Sequence, residues 1–232
     1  MKMKKLLYAA FAGVALMTVA SGCQIDNYDE PDHWIKGHIV YDGKPLGLRG
    51  TNKFMSIELW ERGYGEEAAQ VVYLGQDGSF STATYGKFAV RLVAKNGVGP
   101  WETRTGQDTV FIDKVDKNMV VDYPVIPYYT IADETYELSV DSVLTAKFVV
   151  AQVSSQAKPG TMGLLVNKTQ FVDLSGSCNI KNASSATKTG EVTFQLDVKD
   201  VMKSNRYLFA RVYVKSGNSD EAVYSVNPYR VK

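Results

Sequence analysis

From Trp34 onward, apolar residues return at every second position, in short runs cut by Gly, Asp, Asn and Pro. A period of two puts alternate side chains on opposite faces of an extended chain, so each run predicts a half-buried strand. Ile35, Gly37, Ile39 and Tyr41 share one parity, and Asp42-Gly43-Lys44-Pro45 then turns the chain. Met55, Ile57 and Leu59 alternate with Ser56, Glu58 and Trp60. Val71 and Tyr73 lead to a turn at Gln76-Asp77-Gly78-Ser79. Phe88, Val90, Leu92 and Ala94 form a further run, and Val110, Ile112 and Met119 to Val125 supply the last. No window carries a long apolar stripe of helical period, so helix is expected to be scarce. Short strands with closely spaced turns predict an antiparallel sandwich.

A junction follows. Pro124 and Pro127, with Tyr128 and Tyr129 after them, interrupt the ladder pattern. Alternation resumes at Tyr136, Leu138 and Val140, then at Leu144, Ala146, Phe148 and Val150. Val192, Phe194, Leu196 and Val198 form another run, as do Leu208, Ala210, Val212 and Val214. Between them, Ser175 to Gly190 is rich in Ser, Thr, Asn, Lys and Gly and is expected to be an exposed loop. The fold class is therefore all-β, with two β-sandwich domains in tandem over residues 34–126 and 127–232.

The segment before Trp34 has a different logic. Lys2, Lys4 and Lys5 precede an apolar run from Leu6 to Ala20, and Ser21-Gly22-Cys23 closes it. The run is short for a membrane span and has the layout of a signal peptide over residues 1–22. Ala20-Ser21-Gly22-Cys23 resembles the bacterial lipobox, although Ala20 stands where Leu is commonest. That resemblance implies lipidation at Cys23, and hence attachment to a membrane through the lipid. Residues 23–33 are polar and acidic, a flexible tether that spans about 15–18 Å in the root mean square. An acidic stretch after a lipobox resembles the surface-export signal of Bacteroidetes lipoproteins; the alternative is a solvated linker. The expected location is the outer membrane, lipid-anchored at the cell surface.

Charge and cysteine content narrow the function. The signal segment holds three of the 26 basic residues and none of the 25 acidic ones, which leaves a mature chain of net −2. Nucleic-acid binding needs concentrated basic charge, so no nucleic-acid partner is expected. With Cys23 acylated, Cys178 is the single remaining thiol, too few for an internal disulfide or a multi-cysteine metal site. His33 and His38 are the only histidines, and their spacing along a strand points them to opposite faces. Nucleophile elbow, zinc-helix and P-loop motifs are all missing from the sequence. No catalytic activity, metal or cofactor is expected.

The order of turns carries a resemblance. Gly37-His38-Ile39-Val40-Tyr41-Asp42-Gly43-Lys44-Pro45, then Asp77-Gly78-Ser79-Phe80, then Gly86-Lys87-Phe88-Ala89-Val90, resembles a prealbumin-like (carboxypeptidase-regulatory-like) sandwich. Tyr207 to Val214, a Gly-Asn turn and Val223-Tyr224-Ser225 resemble the closing hairpin of an immunoglobulin or fibronectin-III-like sandwich. Signal, lipobox and the two sandwiches together resemble a family of two-domain Bacteroidetes lipoproteins associated with polysaccharide-utilisation loci. The resemblance implies a partner in an outer-membrane glycan-uptake complex, a TonB-dependent porin with its SusD-like lid.

Aromatic residues supply the candidate binding site. Trp34, Trp60 and Trp101 all lie in the first domain. Trp60 has the parity opposite to Met55, Ile57 and Leu59, so it is expected to face outward. Trp101 follows Gly97-Val98-Gly99-Pro100, a stretch too rich in Gly and Pro for a strand interior. Flat exposed rings can stack on sugar faces while polar neighbours fix the hydroxyls. Trp60, Tyr64, Trp101 and Arg104 form the candidate ligand-binding set; the alternative for both tryptophans is structural packing. The reading is a non-catalytic accessory in glycan capture. A second reading is a pilus or scaffold subunit, matured by cleavage at Arg49-Gly50 or Arg62-Gly63. Asp108-Thr109 and Asp141-Ser142 also match a short O-glycosylation motif.

Overall fold

The computed structural model describes residues 30–50, 55–61, 69–85, 89–94, 99–104, 106 and 108–232. Residues Asp32–Lys232 form one compact unit. Its first half holds β1 (His33–Tyr41), β2 (Lys44–Pro45), β3 (Ser56–Glu61), β4 (Ala69–Tyr73), β5 (Ser79–Thr84), β6 (Val90–Ala94), β7 (Thr109–Ile112), β8 (Met119–Val120) and β9 (Tyr123–Pro124). One sheet has the order β2-β1-β5, with β8 and β9 also paired to β1; the other has the order β4-β3-β6-β7. Their inner faces meet in a core that includes Ile35, Ile39, Phe80, Ile57, Leu59 and Leu92. Each of these apolar side chains contributes roughly 1.5–3 kcal/mol by leaving water.

The alternation read from the sequence accounts for these strands. Ile35, Gly37 and Ile39 of β1 are buried, while Trp34 and Lys36 are exposed. Asp42 and Gly43 turn the chain into β2 with φ of 50° and 70°. Two successive positive φ angles make the turn that matches strand twist, which is why the Asp-Gly pair works there. The pairing is not wholly antiparallel, as alternation alone predicts: β8 and β9 run parallel to β1. The chain leaves β7 in one sheet and crosses to the other, and a crossover, unlike a hairpin, brings strands together parallel. Gly37 permits that approach, since a Cβ there would lie 2.0 Å from the Val121 carbonyl oxygen.

The second half holds β10 (Tyr129–Leu138), β11 (Val143–Gln152), β12 (Thr161–Asn167), β13 (Lys181–Ala186), β14 (Gly190–Asp197), helix α1 (Lys199–Ser204), β15 (Phe209–Lys215), β16 (Ala222–Tyr224) and β17 (Tyr229–Arg230). A three-stranded sheet, β10-β11-β14, faces a five-stranded one, β13-β12-β15-β16 with β17 also on β15. The chain is thus two β-sandwiches in tandem. Helix α1 is short, and among the described residues no helix is long and apolar enough to cross a membrane. Strand β13 corrects the loop expected over 175–190. Its polar Lys-Asn-Ala-Ser-Ser-Ala sequence pairs with β12 through the backbone, at a sheet edge where polar side chains are favoured.

Strands β12 and β15 are buried on both faces. The outer face of their sheet carries a second, smaller core of Leu165, Val172, Tyr213, Ala222 and Tyr224. Arg211 lies on this same face, opposite Leu165, and is fully buried. Its Nε and Nη2 donate to the Ser225 carbonyl at 2.9 and 2.6 Å. Nη1 donates to the carbonyls of Leu48 at 3.0 Å and Val172 at 3.3 Å, and Nη2 to that of Gln76 at 3.1 Å. Leu48 and Gln76 belong to the first sandwich, so one side chain binds both halves. Burial pulls the Arg211 pKa down to about 10, which leaves it charged at neutral pH. A backbone bridge between Gly47 and Tyr224 adds a second link, with Tyr224 N–H donating to Gly47 O at 2.9 Å.

Candidate functional site

The outward parity of β1 presents Trp34, Lys36 and His38 in a line. Across the sheet, antiparallel β5 places Ala83, Ser81 and Ser79 beside them, and Val120 of β8 pairs with Lys36 on the other side. All of these except Ala83 line an open groove on the sheet surface. Trp34, Asn118 and Met119 stand at one end. His38, Ser79 and Tyr73 stand at the other, while Lys36, Ser81 and Val120 belong to both ends. Trp34 to His38 spans about 13 Å along the strand. Trp34 is 44% exposed and Tyr73 51%, so both rings meet solvent.

The backbone holds this surface in place. Trp34 N–H donates to Asn118 Oδ1 at 2.9 Å, and His38 N–H to Asp122 Oδ1 at 3.0 Å. The same Asp122 oxygen lies 3.8 Å from His38 Nδ1. Burial opposes ionisation of Asp77, yet hydrogen bonds from Ser79 and the nearby His38 hold its pKa below the ordinary value. Among the described residues, no group of three or more His, Cys, Asp and Glu could hold a metal ion. The arrangement offers flat apolar rings at the two ends and polar groups between them, which suits binding of an extended ligand with apolar faces and hydroxyls.

The residues singled out in the sequence are dispersed. Trp60 lies on the outer face of β3, half-buried, in the other sheet of the same sandwich. Its Nε1 donates to Glu58 Oε2 at 3.1 Å, and the Arg91 guanidinium lies 4.9 Å from its ring centre, covering one ring face. Trp101 is only 6% exposed and bridges to Pro127, so the expectation of a free stacking surface there is corrected. Its ring folds back over Gly99, where a Cβ would lie 2.1 Å away. The surrounding loop is stitched to the junction by Glu102 N–H to Ile126 O at 2.9 Å and Tyr128 N–H to Pro100 O at 3.0 Å. Arg104 is half-buried, and its charge acts on the buried Tyr123 phenol, away from the groove. Tyr64 and Cys23 lie outside the described residues, as does Arg62.

Arg49, expected in a solvated loop, pairs instead with Glu221 at 3.2 Å, and both side chains are largely buried. Burial pushes the Glu221 carboxyl above its ordinary pKa, against the pull of Arg49. Reasoning from the sequence passed over Trp34, Lys36 and His38 as a set. The signal was present: they have the parity opposite to Ile35, Gly37 and Ile39. Tyr73 could not be joined to them, because the meeting of β4 with the first sheet is a tertiary fact.

Two tandem sandwiches, with an aromatic-ended groove on an outer sheet face of the first, define an all-β, two-domain protein. Residues 33–126 match the "Protein of unknown function (DUF3823) N-terminal domain", and 129–227 match "Domain of unknown function (DUF3823_C)". The chain belongs to the two-domain DUF3823 family. It is similar to the crystal structure of a DUF3823 family protein from Parabacteroides merdae, with 29% identity and a TM-score of 0.78, covering 88% of this chain and 100% of that one. A DUF3823 family protein from Bacteroides ovatus has 26% identity and a TM-score of 0.74, with 87% and 100% covered. A "putative carbohydrate binding protein" from Bacteroides uniformis shares the fold at 17% identity and a TM-score of 0.63, with 87% and 99% covered. Comparison with curated protein sequences gives no match.

Proposed function

We propose that this chain is a non-catalytic outer-membrane lipoprotein, anchored through Cys23 at the cell surface, that captures glycans for an uptake porin and its SusD-like lid. The observation that carries the reading is the pair of exposed rings, Trp34 and Tyr73, at the two ends of one groove. Aromatic pairs contribute about 0.5–1.5 kcal/mol beyond simple area burial, and a ring on a sugar face is a contact of the same order. That is weak alone, but a membrane anchor raises the effective concentration of the module beside the porin. The carbohydrate-binding description of the Bacteroides uniformis neighbour supports the same reading. Affinity electrophoresis of the full chain and of Trp34→Ala against a panel of plant and host glycans tests it. Retardation that weakens in the variant is expected; unchanged mobility with every glycan would remove the reading.

A second reading, stabilisation of the uptake complex, is favoured by the other outer face of the first sandwich. There Phe111, 74% exposed, stands beside Arg91 and extends the row begun by Trp60. Phe111→Ser with intact glycan binding and weaker co-purification of the porin is the result this reading requires. Against the pilus alternative, Arg49 is held in its ion pair with Glu221 and is poorly placed for a maturation protease.

A further inference from the structure

We infer that the groove selects acidic glycans, with Lys36 as the counter-ion for a sugar carboxylate lying between Trp34 and Tyr73. This rests on the glycan-capture reading and narrows its substrate class. Lys36 occupies the middle of the groove, and its lateral partners across the sheet are Ser81 and Val120, neither of which carries charge. An opposite charge directly across the sheet would pair with the cation, but those positions hold a hydroxyl and an apolar side chain. No Asp or Glu is among the described residues that line the groove. Among the described residues that line the groove, the one other basic side chain is His38, whose Nδ1 lies 3.8 Å from Asp122 Oδ1. The ammonium is exposed, so its charge is available to a ligand rather than consumed within the protein.

The two ring ends and the central cation divide the work. Trp34 and Tyr73 can each take the apolar face of a sugar, which any pyranose presents. Lys36, two residues from Trp34 on the same strand face, meets the next part of the chain and distinguishes a carboxylate from a hydroxymethyl group. A compact ammonium on a flexible stem suits a carboxylate whose position varies along a polymer.

The test is isothermal titration of the full-length chain with oligogalacturonate and, separately, with a neutral galacto-oligosaccharide of equal length. Lys36→Gln, Lys36→Arg and Trp34→Ala are carried alongside. The expected result is binding of the oligogalacturonate that weakens with salt, falls about fivefold in Lys36→Gln and is retained in Lys36→Arg. Equal or tighter binding of the neutral oligosaccharide, with Lys36→Gln silent and Trp34→Ala weak, would overturn the charge selection and leave glycan capture standing. Acidic binding indifferent to both Lys36 and salt would overturn it too. Failure to bind any glycan of the broader panel would overturn both readings.

Discussion

The guanidinium carbon of Arg211 lies 4.8 Å from the ring centre of Tyr224. Tyr224 is itself the residue whose backbone bridges to Gly47 of the first sandwich. A cation, an aromatic ring and a backbone bridge therefore meet at one place between the two halves. Replacing Arg211 with Met would leave the Leu48, Val172 and Ser225 carbonyls short of a donor in a buried site, while the Gln76 carbonyl keeps the Leu48 N–H at 2.9 Å. Each such orphan costs about 1–3 kcal/mol, and partial repacking recovers some of it. A loss of about 3 kcal/mol is expected, with calorimetry resolving two transitions where the native chain gives one. A single transition with unchanged midpoint would refute the clamp.

The two tryptophans should separate cleanly. Trp101→Ala empties a buried site and should cost about 3–5 kcal/mol of stability. Trp34→Ala alters an exposed ring and should shift stability by about 0.5 kcal/mol or less. If thermal melts rank them the other way, the assignment of Trp101 to the junction is wrong.

Alkaline pH should loosen the second sandwich. Burial raises the Tyr136 pKa from 10.0 to about 12, while hydrogen bonds to Ser225 and Val212 partly offset it. The unfolded phenol ionises first, so the folded state binds the extra proton between these values. Tyr136 therefore contributes stability in full below pH 10.0, and loses it as the pH rises toward 12. Two units correspond to about 2.7 kcal/mol. Burial raises the Tyr224 phenol in the same direction. Urea melts of Tyr136→Phe should start less stable, since its hydroxyl bonds are gone, but fall less steeply across that range. Parallel curves for the two proteins would exclude the linkage.

Anchoring is testable at one atom. Cys23→Ser should abolish labelling by radioactive palmitate and leave an unprocessed precursor. Continued labelling of the variant would show that the lipid is elsewhere or that the lipobox resemblance misleads.

Much of the strand set was legible because one-sided burial imposes a period of two. β1, β3, β6 and β11 all display it, and the Asp42-Gly43 turn announces its hairpin. β13 was not legible, because its pairing with β12 comes from the backbone and leaves no apolar pattern. β15 hid something else. Phe-Ala-Arg-Val-Tyr-Val-Lys looks like an ordinary half-buried strand with its Arg in water, whereas both faces are covered. Only the arrival of Leu48, Gln76 and Val172 over that face makes Arg211 an interior residue. The groove was half legible: the parity of Trp34, Lys36 and His38 is local, while Tyr73 joins them only through the packing of two sheets.

β1 is flanked on both sides: β5 pairs with it from His33 to His38, and β8 and β9 run alongside from the other edge. Its first residue directly follows Asp32, where any pull from an anchor would arrive. A tug directed along the strand axis would load the flanking hydrogen bonds together, in shear, instead of unzipping them singly. The same strand carries Trp34 and Lys36, so tension between a held polymer and an anchor would converge on a strand hydrogen-bonded along both of its edges.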